Sequence, residues 1–94
     1  MLSVVAKIKV KPECVDLVKA EMLKMLAETV KESGCLNYNL HQDNADASVF
    51  FFYENWSGEE ALQNHLKSEH VQAYIQATKG KLAEFVMNKL TKLA

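Results

Sequence analysis

FFFYENWSGEEALQNHLKSEHVQAY, residues 50–74, decides the fold, because it reads as a strand running straight into a helix that breaks in the middle. Four consecutive aromatics, Phe50 to Tyr53, follow the β-branched Val49 and favour a pleated, largely buried segment ending at Trp56. Ser57 followed three residues on by Glu60 fits a capping box, and Glu59 and Glu60 suit the positive end of a helix dipole. A helix is therefore expected from Gly58. Leu62 and Leu66 share a helical face with His65, which turns that imidazole toward the core. Lys67-Ser68 reads as a second start, with Ser68 capping a piece that buries Val71, Tyr74, Ile75 and Thr78.

Working outward, Leu2 to Lys11 alternates with period two, placing Leu2, Val4, Ala6, Ile8 and Val10 on one face of a strand. Pro12 pre-sets a first helical turn, and apolar residues recur at helical spacing to about Glu32, where Gly34 offers a left-handed stop. Leu36 to Asp43 alternates again, and Asp43 to Asp46 supplies turn residues, so this segment forms a hairpin with Val49 to Trp56. Gly80 can end the broken helix, and Leu82 to Leu93 reads as a last strand. The order β-α-β-β-α-β is that of the ferredoxin-like α+β fold, an antiparallel sheet with its helices on one face.

A register pairing Gln42 with Val49 puts Leu36, Tyr38, Leu40, Phe51 and Tyr53 on one face of the sheet. Asn37, Asn39 and His41 then lie with Phe50, Phe52, Glu54 and Trp56 on the other. The helices can cover one face only, and the second would be a large apolar patch in a monomer. The expectation is a homodimer joined sheet to sheet through Tyr38, Leu40, Phe51 and Tyr53.

Length and composition narrow the function classes. Ninety-four residues make one domain, 1–94, and a formal charge of −1 without basic or acidic runs favours neither nucleic acid nor a membrane surface as partner. No signal-like start and no run of about 18 apolar residues is present, which suggests a cytoplasmic protein. Cys14 and Cys35 bracket the first helix, about 30 Å long at ~1.5 Å per residue, and are expected to be free thiols. His65 and His70 stand five apart across the helix break with no Cys nearby, so no metal spacing stands out. Only three Gly are available, and no phosphate loop, nucleophilic triad or dinucleotide fingerprint is visible, so no cofactor is expected. His65 is the sharpest signal, because an imidazole on a buried helical face needs a partner or a wet cavity.

KVKPE near the start, GCLNYNLHQD, FFYENW and ALQNHLKSEHVQAY together resemble the antibiotic biosynthesis monooxygenase family over nearly the whole chain. The resemblance implies a dimeric α+β barrel of ferredoxin-like protomers, each with a ligand pocket between sheet and helices. It also implies a choice of chemistries: cofactor-free oxygenation of quinols or polyketide anthrones, haem degradation, or isomerisation. The Asn-Trp pair of the anthrone oxygenases aligns with Phe52 and Trp56, keeping the Trp and losing the Asn. The haem-degrading Asn, Trp and His align with Ala6, His65 and Ile75, which does not fit that chemistry. Positions 6, 52, 56 and 65 are thereby placed in one cavity, which Asn39 and His41 are expected to share.

The reading that follows is a cofactor-independent monooxygenase of a small quinol-like aromatic. In it His65 acts as catalytic base, and Trp56, Phe52, Asn39, His41 and Ala6 contact the substrate. The alternatives are an isomerase or tautomerase of a small dicarbonyl, or a non-catalytic module that binds a small molecule.

Overall fold

A computed structural model describes all 94 residues. Strand β1 (Leu2–Val10) leads through a 3-10 turn at Pro12–Cys14 into helix α1 (Val15–Thr29). The hairpin β2 (Cys35–Gln42) and β3 (Val49–Trp56) follows, then α2 (Glu59–Leu66), α3 (Glu69–Thr78) and β4 (Leu82–Leu90). The sheet is antiparallel with strand order β2-β3-β1-β4, the ferredoxin-like βαββαβ arrangement. The second helix is indeed two pieces. At the break Ser68 Oγ accepts from Val71 N at 3.4 Å and donates to the carbonyl of His65 at 2.6 Å, starting α3 while closing α2. No helix is long and apolar enough to cross a membrane.

The inner face of the sheet packs under the helices. Val4, Ala6, Ile8 and Val10 from β1 meet Phe50, Phe52 and Trp56 from β3 and Val18, Met22 and Met25 from α1, all buried. Fully burying side chains of this size is worth about 1.5–3 kcal/mol each.

Several local expectations are corrected. Helix α1 ends at Thr29 rather than Glu32, leaving Glu32 in the connection to β2. Only Gly80 has a positive φ, 77°, so Gly34 is not a left-handed stop. Its requirement is space: a Cβ there would sit 2.3 Å from Ala61 Cβ and 3.0 Å from Ser57 Oγ. The capping box is absent, since Gly58 occupies the cap position of α2 and makes no side-chain cap hydrogen bond. Strand β4 stops at Leu90, short of Leu93.

The most consequential correction concerns the hairpin register. Gln42 pairs with Phe50, one residue on from Val49, so Tyr38 stands opposite Glu54 and Leu40 opposite Phe52. Val49 donates its N–H to the carbonyl of Asp46 at 3.0 Å inside the turn, which also uses the Asp43 and Asp46 carboxylates to accept from Ala45 and Ser48. A one-residue slip exchanges the faces of a strand, and burying Tyr38 and Leu40 in place of Asn39 and His41 selects the observed pairing. Tyr38 and Leu40 therefore face the helices and cannot form the expected dimer surface. The open face instead carries Val5, Phe51, Tyr53, Val86 and Leu90, with the chain Ser3, Asn55, Asn37 and Asn39 hydrogen-bonded across three strands at 2.6, 2.6 and 3.1 Å.

The close approach at Gly34 is directly testable. Gly34→Ala should cost about 1–3 kcal/mol, the scale of overpacking a fitted contact, whereas Gly58→Ala, whose added Cβ meets nothing within 4 Å, should lower the melting temperature far less. Equal melting temperatures for the two variants would contradict the packing described.

Candidate functional site

Alternation along β3 sends Phe52, Glu54 and Trp56 inward together, and all three are buried. A carboxylate in that position needs a partner, which is the indole: Trp56 Nε1 donates to Glu54 Oε1 at 2.9 Å. Burial pushes the Glu54 carboxyl up to about 7, against the Trp56 hydrogen bond that holds it down, and the Glu32 charge adds to the rise.

His65 approaches from the last turn of α2, 3 % exposed, with its ring 4.6 Å from that of Trp56 and 5.4 Å from that of Tyr38. Its Nδ1 lies 2.7 Å from Glu32 Oε2. A carboxylate can only accept, so Nδ1 carries the proton, and Nε2, which makes no hydrogen bond within the protein, keeps its lone pair. Burial draws the His65 pKa below its ordinary value, the Glu32 hydrogen bond and charge oppose this, and His70 adds to the lowering. The same Glu32 oxygen lies 2.7 Å from Nε2 of His70, in the first turn of α3.

Between the sheet and α2–α3 lies a cavity of about 120 Å³, bounded by Ala6, Ile8, Tyr38, Phe52, Leu62 and Tyr74 among others. Glu54 and His65 are its only non-hydrophobic lining residues. The Tyr74 hydroxyl is buried without a hydrogen bond of good geometry, and burial pushes its pKa up to about 12 against a lowering by the neighbouring Thr78 side chain, so it is a neutral donor at the cavity wall. Burial likewise raises the Tyr38 phenol, which stays neutral. A cavity near 150 Å³ accommodates benzene, and this one is of comparable size.

Of the residues singled out in the sequence, Ala6, Phe52 and His65 line this cavity. Trp56 does not. It is fully buried behind His65 and fixes Glu54 rather than offering its face to a ligand. Asn39 and His41 are exposed on the opposite face of the sheet, for the register reason above. Glu54, Glu32 and Tyr74 were not placed in the site from the sequence, which assigned Tyr38 to the dimer surface and brought in His70 only for its spacing from His65. Glu54 was legible, since it alternates in phase with Phe52 and Trp56. Glu32 was not, because it reaches His65 across 33 residues of chain.

Residues 1–77 match the sequence profile of the antibiotic biosynthesis monooxygenase family. A protein of Escherichia coli named "Probable quinol monooxygenase YgiN" is 32% identical, over 89% of this chain and 90% of its own length. An uncharacterized Synechocystis protein is 26% identical over 97% of this chain, which spans 62% of that relative's length. A crystal structure of a Pseudomonas aeruginosa protein superposes with a TM-score of 0.95 at 30% identity, covering 99% of this chain and 94% of the other.

The raised carboxyl makes a signed prediction. A carboxyl whose folded pKa exceeds its unfolded value stabilises the fold below about 4.5, and that contribution declines as pH rises toward about 7. Glu54→Gln, which keeps the shape and the acceptor for Trp56, removes the decline. Its melting temperature relative to the unaltered chain should climb between about pH 5 and 8, by the equivalent of a gain on the order of 2 kcal/mol. A difference independent of pH would contradict a buried, raised Glu54.

Proposed function

The chain belongs to the antibiotic biosynthesis monooxygenase family, and we propose that it uses molecular oxygen to oxidise a single-ring quinol or related phenol, with His65 as the base and no cofactor. The observation that carries this reading is the pairing of one imidazole, His65, with one carboxyl, Glu54, in a small cavity whose other lining residues are hydrophobic. Likeness to a relative named for quinol oxidation supports the substrate class.

In this scheme the substrate hydroxyl gives its proton to His65 Nε2, whose partner nitrogen is held by Glu32. The resulting phenolate is electron-rich enough to reduce O₂. A bond forms between ring carbon and oxygen, the ring loses a hydrogen, and the O–O bond breaks so that one oxygen stays on the ring and the other leaves as water. Hydroquinone plus O₂ thus gives a hydroxyquinone plus water, and the ring supplies all four electrons. Glu54, poised between its charged and neutral forms at neutral pH, is placed to protonate the departing oxygen. Tyr74 supplies a donor to the ring oxygen. Phe52 and Ala6 form walls for the substrate, while Trp56 steadies His65 and Glu54.

The same two groups could move a proton between carbon and oxygen of a small dicarbonyl, as an isomerase would, without oxygen. Oxygen uptake with a panel of single-ring hydroquinones separates the two: consumption matched to hydroxyquinone formation supports the oxygenase, and product formation without uptake supports the isomerase. His65→Ala should lower turnover by roughly 10²–10⁴. The acid-side loss of activity should lie below the ordinary imidazole range, because burial lowers the base's pKa, and activity should decline on the alkaline side through about 7 as Glu54 loses its proton. Full activity in the variant would refute the assignment.

We further propose a homodimer through the open sheet face, with Phe51 and Tyr53 kept from the surface expected from the sequence and Val5 and Val86 in place of Tyr38 and Leu40. Tyr53 and Val86 are 45 % and 42 % exposed in the single chain. The free thiols Cys14 and Cys35 support a reducing compartment, the cytoplasm. Light scattering should return twice 10.6 kDa, and Tyr53→Asp should dissociate the pair, since an unpaired buried charge costs about 3–5 kcal/mol. A monomer at micromolar concentration would refute the interface.

A further inference from the structure

Glu32, His65 and His70 present one carboxylate oxygen and two imidazole nitrogens that all lie within 4.8 Å of one another. We propose that these three residues bind a divalent first-row transition ion of the kind that prefers imidazole, with Zn²⁺ as the reference ion and solvent completing its coordination. Two imidazoles and one carboxylate form an established donor set for such ions, open at the remaining positions.

The break between α2 and α3 creates the cluster. On a continuous helix residues five apart diverge by roughly 140° around the axis, so His70 would turn away from His65. Restarting the helix at Ser68 returns His70 to the same side, with the two rings 6.0 Å apart. Glu32 comes from the short connection before β2, free of helical constraint. Zn²⁺ takes nitrogen and oxygen at about 2.0–2.2 Å, which sets tetrahedral donors roughly 3.4 Å apart. Side-chain shifts of roughly 1 Å take the present spacings, two of them 2.7 Å, to that geometry.

Charge supports a cation here independently of geometry. The chain contains no Arg, and its lysine ion pairs go to Glu84, Glu21, Glu28 and Glu59. Glu32 has only the two histidines as partners, and the nearby Glu54 has only the Trp56 N–H. Neither of these two poorly exposed carboxyl groups is thus ion-paired with a lysine. Access is also present: the side chains of Glu32 and His70 are 19% and 20% exposed, and Glu32 borders a hollow of about 290 Å³ with Ser57, Glu60 and Asn64. An ion on Nδ1 of His65 leaves the ring's proton on Nε2, so that nitrogen donates and no longer accepts. Ion binding and the base role proposed above therefore exclude each other in one molecule, and the ion would act as a reversible inhibitor.

Calorimetric titration of the metal-stripped full chain with Zn²⁺ tests the site without reference to any activity. One ion per chain is expected, with Mg²⁺ giving no comparable uptake, and His70→Ala and Glu32→Gln each weakening Zn²⁺ binding by at least about tenfold. Co²⁺ should give the intense visible absorption of a tetrahedral complex. Melting curves establish that each variant is folded, and His70→Gln replaces His70→Ala if that one is not. Absence of saturable uptake at up to about 0.1 mM ion, or undiminished affinity in a folded variant, would overturn the proposal.

Discussion

One carboxylate oxygen, Glu32 Oε2, sets what His65 can do. By accepting from Nδ1 at 2.7 Å it selects the tautomer whose free lone pair sits on Nε2, and it holds the ring against rotation together with the Trp56 face at 4.6 Å. Without that bond a 3 % exposed imidazole would leave a polar nitrogen unsatisfied at a cost of about 1–3 kcal/mol. The interaction depends in turn on three local features: α1 stops early enough to leave Glu32 in a connection, Gly34 lets α2 come close, and Ser68 breaks the helix just beyond His65.

The cavity concentrates acid-base chemistry by being dry elsewhere. Twelve of its fourteen lining residues are hydrophobic, so the low polarity that raises Glu54 is the same that lowers His65. Two groups with opposite shifts can hold a base and an acid side by side near neutral pH. Trp56 serves this arrangement from behind, neutralising neither group but orienting both. Tyr74 adds a neutral hydroxyl to the cavity wall.

The fold was legible because its signals are local: alternation over Leu2–Val10 and β3, helical spacing in α1, and a cap at Ser68 each declare an element without reference to distant residues. The inward turn of His65 was legible for the same reason. The hairpin register was not, since it depends on whether Val49 stands opposite Gln42 or, as its carbonyl accepting from Asp43 N shows, opposite Asp43, and that one-residue difference exchanges Asn39 and His41 with Tyr38 and Leu40 between the two faces. Glu32 was hidden more deeply. Its partners stand 33 and 38 residues away, and nothing in the surrounding KESG marks it as different from any surface glutamate.

The central claim is that His65 is a neutral imidazole protonated on Nδ1, with Nε2 presented to the cavity. Nitrogen-15 NMR of the labelled chain at neutral pH reads this directly from the shifts and long-range couplings of the ring. A protonated Nδ1 and an unprotonated Nε2, with the Nδ1 preference lost in Glu32→Ala, which removes the acceptor, is the predicted result. An imidazolium, or a proton resident on Nε2 in the unaltered chain, would contradict it.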